Sequence, residues 1–222
     1  LFDFFLYSFF LIILYGLSIY VFESIALYNF SFEDEIYKRK NIAFSAVTFG
    51  ISLSAAYIVR EIFYISQGSL INLFFLWLFT TVLFGFALKS YLLLTDRHLN
   101  QVVLQQDNFA AISHVGFSWS WAILIASALD TEIKDYTRFM AFTIIQIILS
   151  IIIFPIFYKG ISIIFGVKKG IVSRNKAPAK GKTIAEEDSQ SGIYEALVFL
   201  ATAYFTSMIT CQVHFGSFYP PL

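Results

Sequence analysis

The run NIAFSAVTFGISLSAAYIV, residues 41–59, holds nineteen residues and no charged side chain. That length nearly matches the ~20 residues that an α-helix needs, at 1.5 Å of rise per residue, to cross the ~30 Å hydrocarbon core of a bilayer. A helix is required there because an isolated strand or coil would leave backbone N–H and C=O groups unpaired in lipid. Five further runs are nearly free of charge: residues 4–22, 70–88, 108–129, 139–158 and 193–213. The sequence therefore predicts an all-α integral membrane protein with about six transmembrane helices.

The composition agrees with a lipid environment and argues against several classes of protein. Hydrophobic residues make up 58% of the chain and charged residues 14%, against about 25% charged in a soluble domain. The formal net charge is zero, which gives no overall field to attract nucleic acid. Cys211 is the only cysteine, so an internal disulfide and a multi-cysteine metal site are excluded, and no cofactor is expected. The sequence has no Walker, HExxH or GxSxG motif, so we expect that the protein is not an enzyme.

Lysine and arginine residues are divided unequally between the two sides of the membrane. The connections after the first, third and fifth spans hold twelve of the fifteen, and the opposite side holds Arg60, Lys134 and Arg138. Cytoplasmic loops carry the excess of these residues. The three connections are therefore predicted to face the cytoplasm, and both termini to lie outside.

The long connections divide the chain into three helical hairpins, and each connection ends in a polar stretch before an even-numbered span. Setting Asn41 on Asn108 gives four identities over nineteen positions. The spans are interpreted as three two-helix repeats. We expect residues 1–129 to form a four-helix membrane domain of two hairpin repeats. Residues 130–222 would form a third hairpin with a basic inner loop at about residues 160–192.

Small residues recur four positions apart in the even-numbered spans. They are Ala46, Gly50 and Ser54 in span two, Gly116 and Ser120 in span four, and Ala203 and Ser207 in span six. Residues four apart share one helix face, where small side chains let membrane helices approach closely. We therefore expect the even-numbered spans to form the packed interior, and spans one and three, rich in Phe and Leu, to face lipid.

Residues 41–59 and the run DNFAAISHVGFSWSWAILIASAL, residues 107–129, resemble the two half-repeats of the bacterial family called domain of unknown function 350. The pattern is an Asn followed by alternating small residues, which opens the second helix of each hairpin. The resemblance covers residues 1–129, and SGIYEALVFLATAYFTSMITC, residues 191–211, is similar to an extra half-repeat with Gly192 in place of Asn. It implies a multispanning protein of the bacterial inner membrane, linked by gene neighbourhood to envelope-stress systems and without an established activity. The mitochondrial inner membrane is the alternative location.

Two ionisable residues within the spans form a candidate intramembrane polar site. His114 lies six residues after Asn108, about 9 Å into the helix. Such a group marks a functional site by default, for example a proton relay; the alternative is a neutral histidine hydrogen-bonded across a helix interface. Glu195 is expected in the first turn of the last helix, where the helix dipole stabilises an acid. A capping role is favoured for it over ion binding.

The loop before span six is rich in cations. They are Lys168, Lys169, Arg174, Lys176, Lys180 and Lys182. Each basic residue near a membrane surface contributes about 1 kcal/mol to contact with anionic lipid. The six are therefore candidate lipid-headgroup contacts, and a solvated loop is the alternative.

These features predict a non-catalytic membrane protein that acts as an assembly or partner-binding module. Its expected partners are the lipid bilayer and either further copies of itself, as a homo-oligomer, or other membrane proteins; nucleic acid is not expected. A channel or transporter component is the first alternative, suggested by the repeat and by the polar residues of span four. An accessory subunit of a larger energy-transducing membrane complex is the second.

Overall fold

Helices account for nearly all of the structure, as the charge-free runs predict. The computed structural model describes residues 2–95, 98–129, 135–165 and 184–211. The α-helices are α1 Phe2–Ala26, α2 Ile42–Ile65, α3 Leu70–Lys89, α4 Tyr91–Thr95, α5 Leu99–Leu104, α6 Asn108–Ala128, α7 Tyr136–Ile164 and α8 Ile184–Thr210. The described part of the chain contains no strand. Six of the helices, α1, α2, α3, α6, α7 and α8, are long and apolar enough to cross a membrane, which confirms the predicted fold class.

The even-numbered spans of the sequence, α2, α6 and α8, form the interior. The buried share of the most apolar stretch is 56%, 72% and 44% in these three helices, against 17%, 33% and 28% in α1, α3 and α7. Helix α6 is central because it packs against α2, α3, α7 and α8. The apolar side chains of α1 and α3 that point away from the bundle are left for lipid.

Helices α6 and α8 run in the same direction. A Cβ added to Gly192 would lie 2.7 Å from the carbonyl oxygen of Phe109 near the start of α6. At the other end, the Sγ atom of Cys211 lies 3.4 Å from the carbonyl oxygen of Ser127. We call the end of the bundle with residues 27–41 and 90–107 the connection end, and the opposite end the hairpin end.

The connection end has structure that the apolar runs do not predict. A π-helical segment, Glu33–Lys38, precedes α2, and the short helices α4 and α5 precede α6. Helix α8 also begins earlier than the predicted span, at Ile184, although its apolar part is Ser191–Thr210.

The repeat is present between α2 and α6. Its register, however, is shifted by one residue from the sequence alignment that sets Asn41 on Asn108. Asn41 and Asp107 cap the two helices, each by accepting a hydrogen bond from the backbone N–H three residues on. The residue before each cap has a positive φ, 51° at Lys40 and 53° at Gln106. This spacing of 66 residues aligns GISLSAA with GFSWSWA, so that a glycine, two serines and an alanine coincide. In both helices the second serine bonds to the glycine carbonyl, Ser54 to Gly50 and Ser120 to Gly116.

Asn41 also joins the two repeats. Its Nδ2 donates to the Oε2 of Glu35 at 2.8 Å and to the carbonyl oxygen of Val103 at 2.9 Å, while its Oδ1 accepts from the N–H of Phe44 at 3.1 Å. Asn41 is 1% exposed and Glu35 4%. Arg39 donates to the second oxygen of the Glu35 carboxylate at 2.8 Å. One amide therefore caps α2, pairs a buried carboxylate and binds the end of α5.

Replacement of Asn41 by Ala is expected to lower stability by about 2–4 kcal/mol, because a cap is lost and a buried carboxylate oxygen and a carbonyl oxygen lose their donor. Asp107→Ala, which removes one cap bond, is the matched control and should cost about 1 kcal/mol. The midpoint of thermal aggregation in detergent measures both. Equal losses in the two variants would show that the contacts to Glu35 and Val103 contribute nothing.

Candidate intramembrane polar site

Three helix faces meet in the interior of the bundle and carry several of its buried polar groups. They are His114, Phe117 and Trp121 on α6; Gln146, Ser150, Phe154 and Tyr158 on α7; and Glu195, Phe199 and Thr206 on α8. We call these ten residues the seam. On each helix the members are three, four or seven positions apart, which keeps them on one face.

Glu195 is buried at the connection-end half of the seam. It is 3% exposed, and the hydroxyl of Tyr158 donates a hydrogen bond to its Oε1 at 3.0 Å. Because α8 begins at Ile184, Glu195 does not lie in the first turn of the helix, where the dipole acts. The prediction of a helix-capping acid at that position is therefore wrong, and a tyrosine of the neighbouring helix holds the carboxyl group instead.

His114 is fully buried in α6. Its Nδ1 lies 3.2 Å from the Oγ of Ser118, one turn further along the same helix. The ring of Tyr91 meets the imidazole edge-on, with the centroids 4.8 Å apart. Among the described residues, its Nε2 has no hydrogen-bond partner. The hydrogen bond that is present thus runs within α6, and the free nitrogen is not explained by a contact between helices.

A layer of aromatic rings fills the middle of the seam. Phe199 lies 5.5 Å from Phe117, 6.2 Å from Phe154 and 4.6 Å from Tyr158 between ring centroids. Trp121 continues the layer, 6.0 Å from Phe154. These rings separate the polar groups of the connection end from those of the hairpin end.

Polar atoms reappear on the hairpin side of the aromatic layer. They are the Oε1 of Gln146, the Oγ of Ser150 and the Oγ1 of Thr206, and within the described ranges none of them has a hydrogen-bond partner. The indole N–H of Trp121, which lies in the aromatic layer, also has no hydrogen-bond partner among the described residues. Buried polar atoms in proteins are nearly always paired, by water where no protein group is in reach. The seam therefore has polar groups on both sides of an apolar layer.

His114 and Glu195 occupy equivalent positions on successive inner helices. Gly50 of α2 lies against Val115 of α6, and Gly116, 66 residues after Gly50, lies against Ala196 of α8. Val115 and Ala196 are thus equivalent, and so are the residues just before them, His114 and Glu195. The site is a feature of the repeat in which each copy holds a different side chain.

The small residues predicted for helix packing all lie at helix contacts or in the interior. Ser54, Ser120 and Ala203 are fully buried, and Ser207 is 8% exposed. Gly50 and Gly116 admit the backbones of Val115 and Ala196. Ala46 is half-buried beside them. These contacts are made within one chain.

The six predicted lipid-headgroup contacts lie outside the described residues: Lys168, Lys169, Arg174, Lys176, Lys180 and Lys182. Sequence reasoning missed Tyr91 and Tyr158, which hold the two ionisable groups, and Asn41 as a link between repeats. The recurrence of polar and aromatic residues every four positions from Gln146 to Tyr158 was the sequence signal that could have identified the α7 face of the seam.

The fold and the seam define a class, a multispanning α-helical membrane protein with ionisable groups buried between its spans. The chain belongs to the family described as Domain of Unknown Function (DUF350), whose family model matches residues 64–210. The match includes α3, α6, α7 and α8 and leaves out residues 1–63. It therefore covers the second half of the region on which the sequence motifs place the resemblance, residues 1–129, and adds the third hairpin. The division of the chain at residue 129 stays a prediction. The comparisons with curated proteins and with solved structures found no match.

Proposed function

We propose that this protein is a proton channel or transporter component of the bacterial inner membrane, in which Glu195 and His114 take up and release the proton. The observation that carries the proposal is a carboxyl group that is 3% exposed inside a membrane span and bonded to Tyr158. Ionisable side chains within spans are costly, and they recur in proton relays and ion pathways. The function is non-catalytic, since only bonds to hydrogen are made and broken.

The seam suggests how a proton would cross. On the connection side, His114 and Glu195 lie about one turn from the aromatic layer, His114 three residues before Phe117 and Glu195 four before Phe199. On the hairpin side, water bonded to the hydroxyl groups of Ser150 and Thr206 would continue the path. The aromatic layer closes the seam in the structure described here. A movement of these rings, and not an open pore, would admit the proton.

This function is preferred over assembly because the small-residue faces are already occupied. Gly50 and Gly116, two of the residues predicted for helix packing, bring helices of the same chain together. In the seam, by contrast, the Nε2 of His114, the Oγ of Ser150 and the Oγ1 of Thr206 have no hydrogen-bond partner among the described residues.

Replacing His114 by Gln tests the proposal. The amide cannot take up a proton, so we expect proton flux into liposomes that contain a pH-sensitive dye to fall about tenfold or more. Thr48→Val is the matched control, since Thr48 stands 66 residues before His114 at the equivalent position of α2 and bonds only within its own helix. Flux that is unchanged in His114→Gln, at equal folded yield, would remove His114 from the path.

The orientation is part of the proposal, with the connection end in the cytoplasm and both termini outside. It is supported by the excess of Lys and Arg in the three long connections. After Cys211 is replaced by Ser, a cysteine placed at Lys176 should react with a membrane-impermeant maleimide only when cells are opened. A cysteine placed at Lys134 should react in intact cells. Labelling at Lys176 in sealed cells would reverse the topology.

Assembly with a second copy is the second candidate function, and a groove on the outer face of the inner helices favours it. This groove, of about 490 Å³, runs between α2, α6 and α8 and is lined only by apolar residues. Gly116 and Ala196, which contact each other, form part of its wall, and Phe49 beside them is 61% exposed. A surface with a groove and an exposed aromatic side chain can pair with itself about a twofold axis. Ala46→Trp should then convert a dimer, measured by native mass spectrometry, into a monomer; an unchanged mass would exclude this surface.

The third possibility, an accessory subunit of an energy-transducing complex, stays a prediction.

A further inference from the structure

A cavity of about 440 Å³ lies at the connection end, at the level where α3 ends. Its walls come from the C-terminal ends of α1 and α3 and from α4 and the start of α5. Lys89, the last residue of α3, marks the border of the apolar span. The cavity therefore opens where the hydrocarbon core gives way to the headgroup layer.

The lining divides into an apolar and a polar part. The ends of α1 and α3 supply Ala26 and Leu88, whereas the polar part includes Lys89, His98, Asn100 and Gln101. Neither Lys89 nor His98 forms an ion pair with any of the residues that the structure describes. A cation that has no counterion among the described residues, beside amide donors and an apolar wall, is suited to an anion that carries a hydrocarbon tail.

We propose that this cavity binds the phosphate group of an anionic phospholipid, with Lys89 as its principal charge contact. The phosphate oxygens accept hydrogen bonds from the ammonium group of Lys89 and from Asn100, and the glycerol and first acyl carbons lie along Ala26 and Leu88. The site does not depend on proton transport.

The cavity also touches the polar site through one residue. Tyr91 lines it, is 1% exposed, and presents its ring to the imidazole of His114. A lipid bound here would contact the residue that covers His114 on this side.

Titration with phosphatidylglycerol, followed by native mass spectrometry of the detergent-solubilised protein, tests the inference. The native chain should retain one phosphatidylglycerol with an affinity at least about tenfold higher than for phosphatidylcholine, and Lys89→Gln should lose about tenfold of that affinity. Lys159→Gln is the matched control, since Lys159 is exposed on α7 near the connection end and does not line the cavity. The affinity of this variant for phosphatidylglycerol should equal that of the native chain.

Each other outcome counts against the site. Equal affinity of native protein and Lys89→Gln for phosphatidylglycerol would place the lipid elsewhere. If inorganic phosphate displaced the lipid at equal concentration, the cavity would be a site for a free anion and the lipid assignment would be wrong. Because Lys89 is exposed, the variant should keep the native melting temperature, which confirms that a lost affinity is not lost structure.

Discussion

Replacement of Glu195 by Gln is expected to abolish proton flux through the purified protein while the fold is kept. Glutamine has nearly the same shape, and its amide oxygen can still accept the hydrogen bond that Tyr158 donates at 3.0 Å. It cannot, however, release a proton and bind it again. The variant therefore removes the chemistry of the position and leaves its packing. We expect the flux in liposomes to fall to the protein-free background, a loss of about a hundredfold if the group is obligatory.

Glu61→Gln is the control for this experiment. Glu61 lies at the hairpin end of α2, where it pairs with Arg60 at the surface, so its replacement should leave the flux unchanged. Tyr158→Phe should give a smaller loss than Glu195→Gln, because it removes the hydrogen bond and keeps the carboxyl group. A Glu195→Gln protein with native flux would show that Glu195 has a structural role only.

Replacement of Gly116 by Ala is expected to destabilise the bundle by forcing two of its inner helices apart. An added Cβ would lie 2.6 Å from the carbonyl oxygen of Ala196, and backbone atoms cannot move aside as the end of a side chain can. Helices α6 and α8 would have to separate along a contact that buries Phe117 and Phe199. We expect about 1–3 kcal/mol of destabilisation or more, read from the thermal aggregation midpoint in detergent.

Gly16→Ala provides the comparison for Gly116→Ala. Gly16 lies in α1, and an added Cβ there would meet nothing within 4 Å. Alanine is favoured over glycine in a helix by about 0.5–1 kcal/mol, so this variant should be as stable as the native chain or slightly more stable. If both variants behaved alike, α6 and α8 would not be in backbone contact at Gly116.

The six spans could be predicted because membrane helices follow from one physical requirement, an apolar run of sufficient length. The interior could also be predicted, since Gly50 and Gly116 signal close helix contact by their size alone. The register of the repeat could not, because matching Asn41 to Asn108 rewards identity of residue, whereas the helix caps are Asn41 and Asp107. A cap requires a side-chain oxygen at one backbone position, and Asn and Asp serve equally.

The candidate site was predictable only in its ionisable members. His114 and Glu195 are conspicuous in apolar runs, and burial of both agrees with that signal. Tyr158 was not distinguishable, because the chain has 13 tyrosines and only tertiary packing shows which one reaches Glu195. The role of Glu195 was mistaken because the start of α8 is set by polar residues that precede its apolar part.

The most direct test of the account is the flux of protons through the native chain alone in liposomes. A potassium gradient with valinomycin would set the interior negative, and a dye inside the vesicles would report acidification. A proton path through the seam predicts acidification whose rate rises with the amount of protein and which Glu195→Gln removes. A rate equal to that of protein-free liposomes, from a preparation that is folded and correctly inserted, would contradict it.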